Sequence, residues 1–145
     1  MRFGITMKPT LPLRYNEADL ASTSQGTRPD ISHTYSELSK FVQYPGQKHM
    51  DADEHCLKYL AGTADLCIQY GRTQDGKIEG RELNRLWGWV DADFAADLDT
   101  RRSHTGYVIM MNGGSISWKS VNQKSVSLST AESEWYAVSE AGKEI

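Results

Sequence analysis

Long apolar runs are missing from this sequence. No stretch approaches the roughly 18 residues a membrane span requires, so no membrane-crossing helix is expected. A basic excess is missing too. The formal net charge is -3 over 145 residues, which argues against a general nucleic-acid coat or a membrane-surface protein, although a binding groove needs only a local basic patch. Cysteine is scarce: Cys56 and Cys67 stand too far apart for a Cys-x-x-Cys site, and a reduced chain in the cytoplasm or nucleus, not secreted, is the simplest expectation. The N-terminal MRFGITMKPTLPLRY carries basic residues, but Pro9 and Pro12 break its apolar runs, which makes a poor signal peptide. What is present suffices for a core. Hydrophobic content is 39% and aromatic content 10%, in a length typical of one domain of about 100–200 residues.

Residues 1–29 hold most of the prolines and the polar run ASTSQGTRPD, and read as an irregular lead-in. From residue 30 to about 80 the pattern is mainly helical. Tyr35, Leu38, Phe41 and Val42 recur at helical spacing. YPG breaks that helix, and a second runs from about Lys48 to Ala61 with Ala52, Cys56, Tyr59 and Leu60 on one stripe and Gly62 near its C-cap. DLCIQY alternates like a short strand, and GRTQDGKIEGREL reads as a polar hairpin or linker.

Residues 81–145 differ in character. LWGWVD alternates, with Leu86 and Val90 on one side and Trp87, Trp89 and Asp91 on the other. YVIMM is continuously apolar, NGG at 112–114 is a hairpin turn, and Ile116 and Trp118 alternate on the return strand. STAESEWYAVSEAGKEI then begins a helix with Ala131, Trp135, Val138 and Ala141 in rough register. The expected class is α/β: three antiparallel strands and a helix, preceded by a small helical connection segment.

Two features have the composition of a hard-metal site. DADFAAD ends the first strand, and AESE opens the last helix. Carboxylates from different elements can converge on Mg²⁺ or Mn²⁺, and such ions drive phosphodiester hydrolysis. A calcium loop counted from Asp91 fails, since Ala95, Ala96 and Arg102 fall where an oxygen ligand, glycine and glutamate are required.

These residues resemble a known family. TRPDISHTYSELSKFVQYPGQKHMDADEHCLKYLAGTADL, followed by WGWVDADFAADLDTRRSHTGYVIMMNGGSISWKSVNQKSVSLSTAESEWYAVSEA, is similar to copia-type retrotransposon Pol. The first block resembles the end of the reverse transcriptase region, and the second the N-terminal half of a ribonuclease H domain. The resemblance implies an incomplete ribonuclease H-like fold and a parent endonuclease that cuts the RNA strand of an RNA–DNA hybrid during reverse transcription. It places Asp91 and Glu132 as catalytic and metal-binding residues, with Mg²⁺ or Mn²⁺ as cofactor and the remainder of Pol as partner.

Departures temper that expectation. The family's later acidic segment has no counterpart within these residues, nor does the polymerase YxDD pair, and ASTSQG replaces the apolar helical segment that precedes TRPDI. A truncated or degenerate Pol fragment with weak or absent metal binding and no useful nuclease activity of its own is therefore expected. An open edge on the first strand and one uncovered sheet face are expected with it. A non-catalytic module binding nucleic acid or protein is the alternative.

Each site residue also has a plainer role. Asp91 could cap a strand end, and Asp97 and Asp99 read as turn formers that bond local amides or pair with Arg101 and Arg102. Ser129 and Glu132 fit a capping box. The spacing of His33, His49, His55, Cys56 and His104 fits no common zinc motif. Trp87, Trp89 and Trp118 read as sheet-covering residues, and Arg101, Arg102, Lys119 and Lys124 as solvated charges.

Overall fold

The structure, a computed structural model, describes residues 13–71, 77–78, 81–82 and 84–145. Residues 1–12 of the anticipated lead-in, and parts of the polar hairpin, lie outside the described residues. In chain order come α1 (Leu13–Gly26), a 3₁₀ turn (Pro29–Ile31), α2 (Ser32–Ser39) and α3 (Gln47–Gly62). They are followed by β1 (Lys77–Ile78), β2 (Arg81–Glu82), β3 (Trp87–Asp93), β4 (His104–Met111), β5 (Gly114–Asn122) and α4 (Thr130–Gly142). The α/β class, with three antiparallel strands and then a helix, is as anticipated. Among the described residues β1 pairs with β2, and the main sheet has the order β3-β4-β5.

The register of that sheet decides which side chains meet. Val90 pairs with Tyr107, Asp91 with Gly106 and Asp93 with His104; His104 pairs with Asn122 and Val108 with Trp118. Paired residues project to one face and successive residues alternate. Val90, Tyr107 and Ile109 therefore share a face, where they pack with Ala141 of α4. Asp91, Asp93, His104, Val108 and Trp118 share the other. There the Trp118 indole Nε1 donates to the Ser24 carbonyl of α1 at 2.7 Å, and α2 lies against β5. The helical segment thus covers the face that was expected to stand bare.

α4 corrects another expectation. Its buried residues are Ser133, Ala137 and Ala141, whereas Trp135 is 74% exposed and Val138 50%. The rotation follows from a buried polar plug. The Gln123 amide donates to Thr105 Oγ1 at 3.1 Å and to the Ser133 carbonyl at 2.9 Å, while its oxygen accepts from Ser127 Oγ at 2.9 Å. A buried amide must be satisfied in this way, and small residues let the helix approach closely enough. The larger apolar residues then point outward.

The Asn112–Gly113 turn forms as read, with φ of 54° and 86°. It also anchors neighbouring chain. The Gly71 N–H donates to the Asn112 carbonyl at 3.0 Å, and Asn112 Oδ1 accepts from the Asn84 N–H at 2.7 Å. DLCIQY is not a strand; residues 66–70 belong to no regular element. Its end is pinned by Tyr70, whose hydroxyl donates to the Ser115 carbonyl at 2.7 Å. A Cβ on Gly114 would stand 2.5 Å from the Tyr70 ring, so glycine there makes the contact possible. A bulge at Ile109/Met110 leaves Ile116 unpaired and exposed.

The polar run read as irregular is helical in α1. Leu20 supplies the reason: it is buried with Ile31, Leu38 and Cys56, flanked by Tyr35 and Leu60, and such burial overrides weak local propensity. α2 ends at Ser39, short of the predicted Val42. Arg28 ties these helices together. Its guanidinium donates to Asp30 (3.0 and 2.8 Å), to the Thr63 carbonyl (3.0 Å) and to Thr63 Oγ1 (2.7 Å), so it caps the C-terminal end of α3. Tyr59 donates its hydroxyl to Asp30 at 2.7 Å.

Hydrogen bonds from Arg28, reinforced by Tyr59, hold the Asp30 carboxyl down at about 2, against an ordinary value of about 3.9. The ionised pair stabilises the fold above pH ~4, and that contribution is lost as pH falls toward about 2. Arg28→Ala is expected to destabilise by on the order of 2–3 kcal/mol, since charge-assisted bonds at a largely buried guanidinium disappear. Urea unfolding at pH 7 checks the size, and the same titration from pH 4 to 2 should show a flatter acid limb for the variant.

Candidate functional site

The acid-rich loop is built by Asp97. Its Oδ1 accepts from the Thr100 N–H and the Thr100 hydroxyl, both at 2.8 Å, which closes a local turn. Ala95 and Arg101 take φ of 52° and 57° to turn the chain. Oδ2 accepts from Lys40 Nζ of α2 at 3.1 Å and from Asn122 Nδ2 of β5 at 2.8 Å. The Thr100 bonds, followed by Lys40, hold this carboxyl well below the usual carboxylate range. Asp97 is therefore the turn former anticipated, but its charged partner is Lys40 rather than a neighbouring arginine. The turn-forming aspartate was legible in the sequence; nothing there named Lys40 or Asn122.

Asp91 and Asp93 alternate on the sheet face that meets α2. There they line an open cleft with His33, Glu37, Lys40, Asp97 and His104. Glu132 has a different setting. It lies in the first turn of α4, on the opposite face, and its Oε2 accepts from the Leu128 N–H at 2.7 Å. Ser129 Oγ accepts from the Glu132 N–H at 3.2 Å, so Ser129 is the N-cap, while the reciprocal bond reaches one residue further back than a capping box predicts. Both acids stand at the same end of the sheet: Gln123 bridges Ser133 to Thr105, and Thr105 pairs with Ala92.

A hard divalent ion needs several oxygens converging from its own side. Among the described residues the potential ligands that converge in a group of three are His33, Glu37 and His104, without Asp91 or Glu132. Neither Asp91 nor Glu132 belongs to a converging group of three among the described residues, and no chemical step is derived through them.

The remaining candidates separate cleanly. His49 stacks on Phe41 with centroids 3.9 Å apart, and its Nδ1 accepts from the Gly46 N–H at 3.0 Å, so it caps α3. Trp87 and Trp89 meet edge to face at 4.6 Å, with Trp89 60% exposed. Arg101, Arg102, Lys119 and Lys124 are exposed.

The cap at α4 yields a direct test. Glu132→Gln retains an acceptor for the Leu128 N–H and should shift stability by less than about 0.5 kcal/mol, whereas Ser129→Ala should cost about 1 kcal/mol. Thermal melts of the two variants beside the parent chain measure both.

Comparison with known proteins places the chain. It is 43% identical over 119 residues to the retrovirus-related Pol polyprotein from transposon TNT 1-94 of Nicotiana tabacum. That match covers 82% of this chain and 8% of the polyprotein. It is 35% identical over 121 residues to the Pol polyprotein from transposon RE1 of Arabidopsis thaliana, covering 82% and 8%. It is also 38% identical over 118 residues to the secreted RxLR effector protein 161 of Plasmopara viticola, covering 81% of this chain and 78% of that protein. The chain therefore spans less than a tenth of the length of the two polyproteins but most of the Plasmopara viticola protein. No family model matches, and no solved structure matches. The chain belongs to the copia-type retrotransposon Pol polyprotein family.

Proposed function

We propose that these residues form the junction of a Pol polyprotein where the reverse transcriptase region meets a ribonuclease H-like sheet, and that they do not cut an RNA–DNA hybrid by themselves. The order β3-β4-β5-α4 supports the ribonuclease H-like reading, with Asp91 near the end of the first strand and Glu132 in the first turn of the helix. In that reading the two carboxylates stand where the resembled nuclease holds its Mg²⁺ or Mn²⁺. The observation that carries the inactivity is that neither carboxylate belongs to a converging group of three ligands among the described residues, while Glu132 is engaged by the Leu128 N–H. Weak metal affinity and no aligned phosphodiester follow. The helical segment docks on the face carrying Asp91, which suits a joining and positioning role.

A second reading is favoured by one observation. A protein named as an effector is spanned over 78% of its length by this chain, so a unit of this size exists apart from a long polyprotein. In that reading the module binds nucleic acid or a protein without cutting.

A labelled RNA–DNA hybrid separates the two. With the 145-residue chain in Mg²⁺ or Mn²⁺ no cleavage above background is expected, and cleavage that Asp91→Asn abolishes would overturn the proposal. Tight, metal-independent hybrid binding that weakens with salt would instead favour the second reading.

A further inference from the structure

We propose that His33, Glu37 and His104 form a site for a borderline divalent transition metal of the Zn²⁺ class, one that clips α2 to the sheet. His33 and Glu37 are four residues apart on α2, so they rise from the same helix face. That face lies over the sheet surface carrying His104. One ligand atom from each of the three side chains lies within 4.8 Å of the others. The His33 and His104 rings meet edge on at 5.1 Å, and His104 Nδ1 is 3.9 Å from Glu37 Oε1.

The donor set selects the metal. Two imidazoles and one carboxylate suit Zn²⁺, Co²⁺ or Ni²⁺, whereas Mg²⁺ and Ca²⁺ take oxygen ligands. Three protein ligands with an open fourth position is a common zinc arrangement. In a tetrahedral site with bonds of about 2.0–2.1 Å the ligand atoms sit roughly 3.3 Å apart, so closure requires shifts of about 1–2 Å. His33 is exposed and Glu37 half-buried, which leaves both free to make that adjustment. His104 is buried and already oriented: Nδ1 meets Asn122 Oδ1 at 2.7 Å and Nε2 meets Ser120 Oγ at 2.7 Å. Metal binding would displace one of these partners and retain the other as the outer contact that fixes the ring.

Lys40 opposes the site, because its ammonium is 2.7 Å from Glu37 Oε1. It has an alternative anchor in Asp97 at 3.1 Å. Asp91 and Asp93 line the same cleft and offset its charge. The site shares no ligand with the Asp91 and Glu132 pair, so it does not depend on the nuclease-derived reading.

Co²⁺ titration of the 145-residue chain tests the proposal, with the visible bands of four-coordinate Co²⁺ as readout and Zn²⁺ displacement as confirmation. One Co²⁺ per chain is expected, with affinity lowered at least tenfold in His33→Ala and in Glu37→Gln, and unchanged in His55→Ala. Far-UV circular dichroism checks that the His33→Ala chain is folded, as its exposure leads one to expect. Absence of stoichiometric binding to the folded parent chain would overturn the site, as would binding that His33→Ala leaves intact. Loss on Asp91→Asn with retention in His33→Ala would assign the metal to the carboxylates instead.

Discussion

The two-residue period of β3 and β4 governs this molecule. Because β3 pairs in register with β4, each apolar residue sent to one face sends its neighbour to the other. Val90, Tyr107 and Ile109 go to α4, and Asp91, Asp93 and His104 go to the side occupied by α2. A shift of one residue in register would exchange these sets and leave three polar or charged groups under α4. The acidic cluster can follow directly on a core strand because only alternate positions of that strand are core.

Two polar latches join the helical segment to the sheet and close its own corners. Arg28 reaches from the turn before α2 to the end of α3 and satisfies carbonyl and hydroxyl groups there. Asp97 reaches from the β3–β4 loop to α2 and to β5. The Lys40–Asp97 bridge is largely shielded, with side chains 25% and 11% exposed, and is therefore screened less than a surface pair. The apolar core of the helices is small, built around Leu20, Ile31, Leu38 and Cys56. In a core of that size such latches carry a larger share of the cohesion.

The exposed face of α4 fits the same logic. Ser133, Ala137 and Ala141 turn inward because the Gln123 amide requires a backbone partner and the sheet already supplies bulk through Tyr107 and Ile109. Trp135 and Val138 are left outside on that account. A hydrophobic count on the helix placed Ala141 inward correctly but Trp135 and Val138 wrongly, since it weighed apolar character and had no information about what the opposite surface already filled.

The legible parts were those whose causes are local. Alternation marked β3, the Asn112–Gly113 dipeptide marked the hairpin, Ser129 marked the start of α4, and Asp97 itself marked its turn. DLCIQY alternated as well, but a strand needs a partner, and that segment pairs with no strand among the described residues. α1 was missed because its polar sequence is held helical by tertiary burial, at Leu20 among the described residues. The family was readable from the dense motifs of residues 27–145, and the site residues Asp91 and Glu132 were named from them. By itself, then, the sequence determined the α/β class, the turns, the caps and the family. Tertiary structure alone decided which face each acid occupies, that the helices cover the sheet, and that His33 and His104 stand beside each other. Those outcomes depend on how separate elements pack, and packing joins residues whose spacing along the chain carries no trace of the contact.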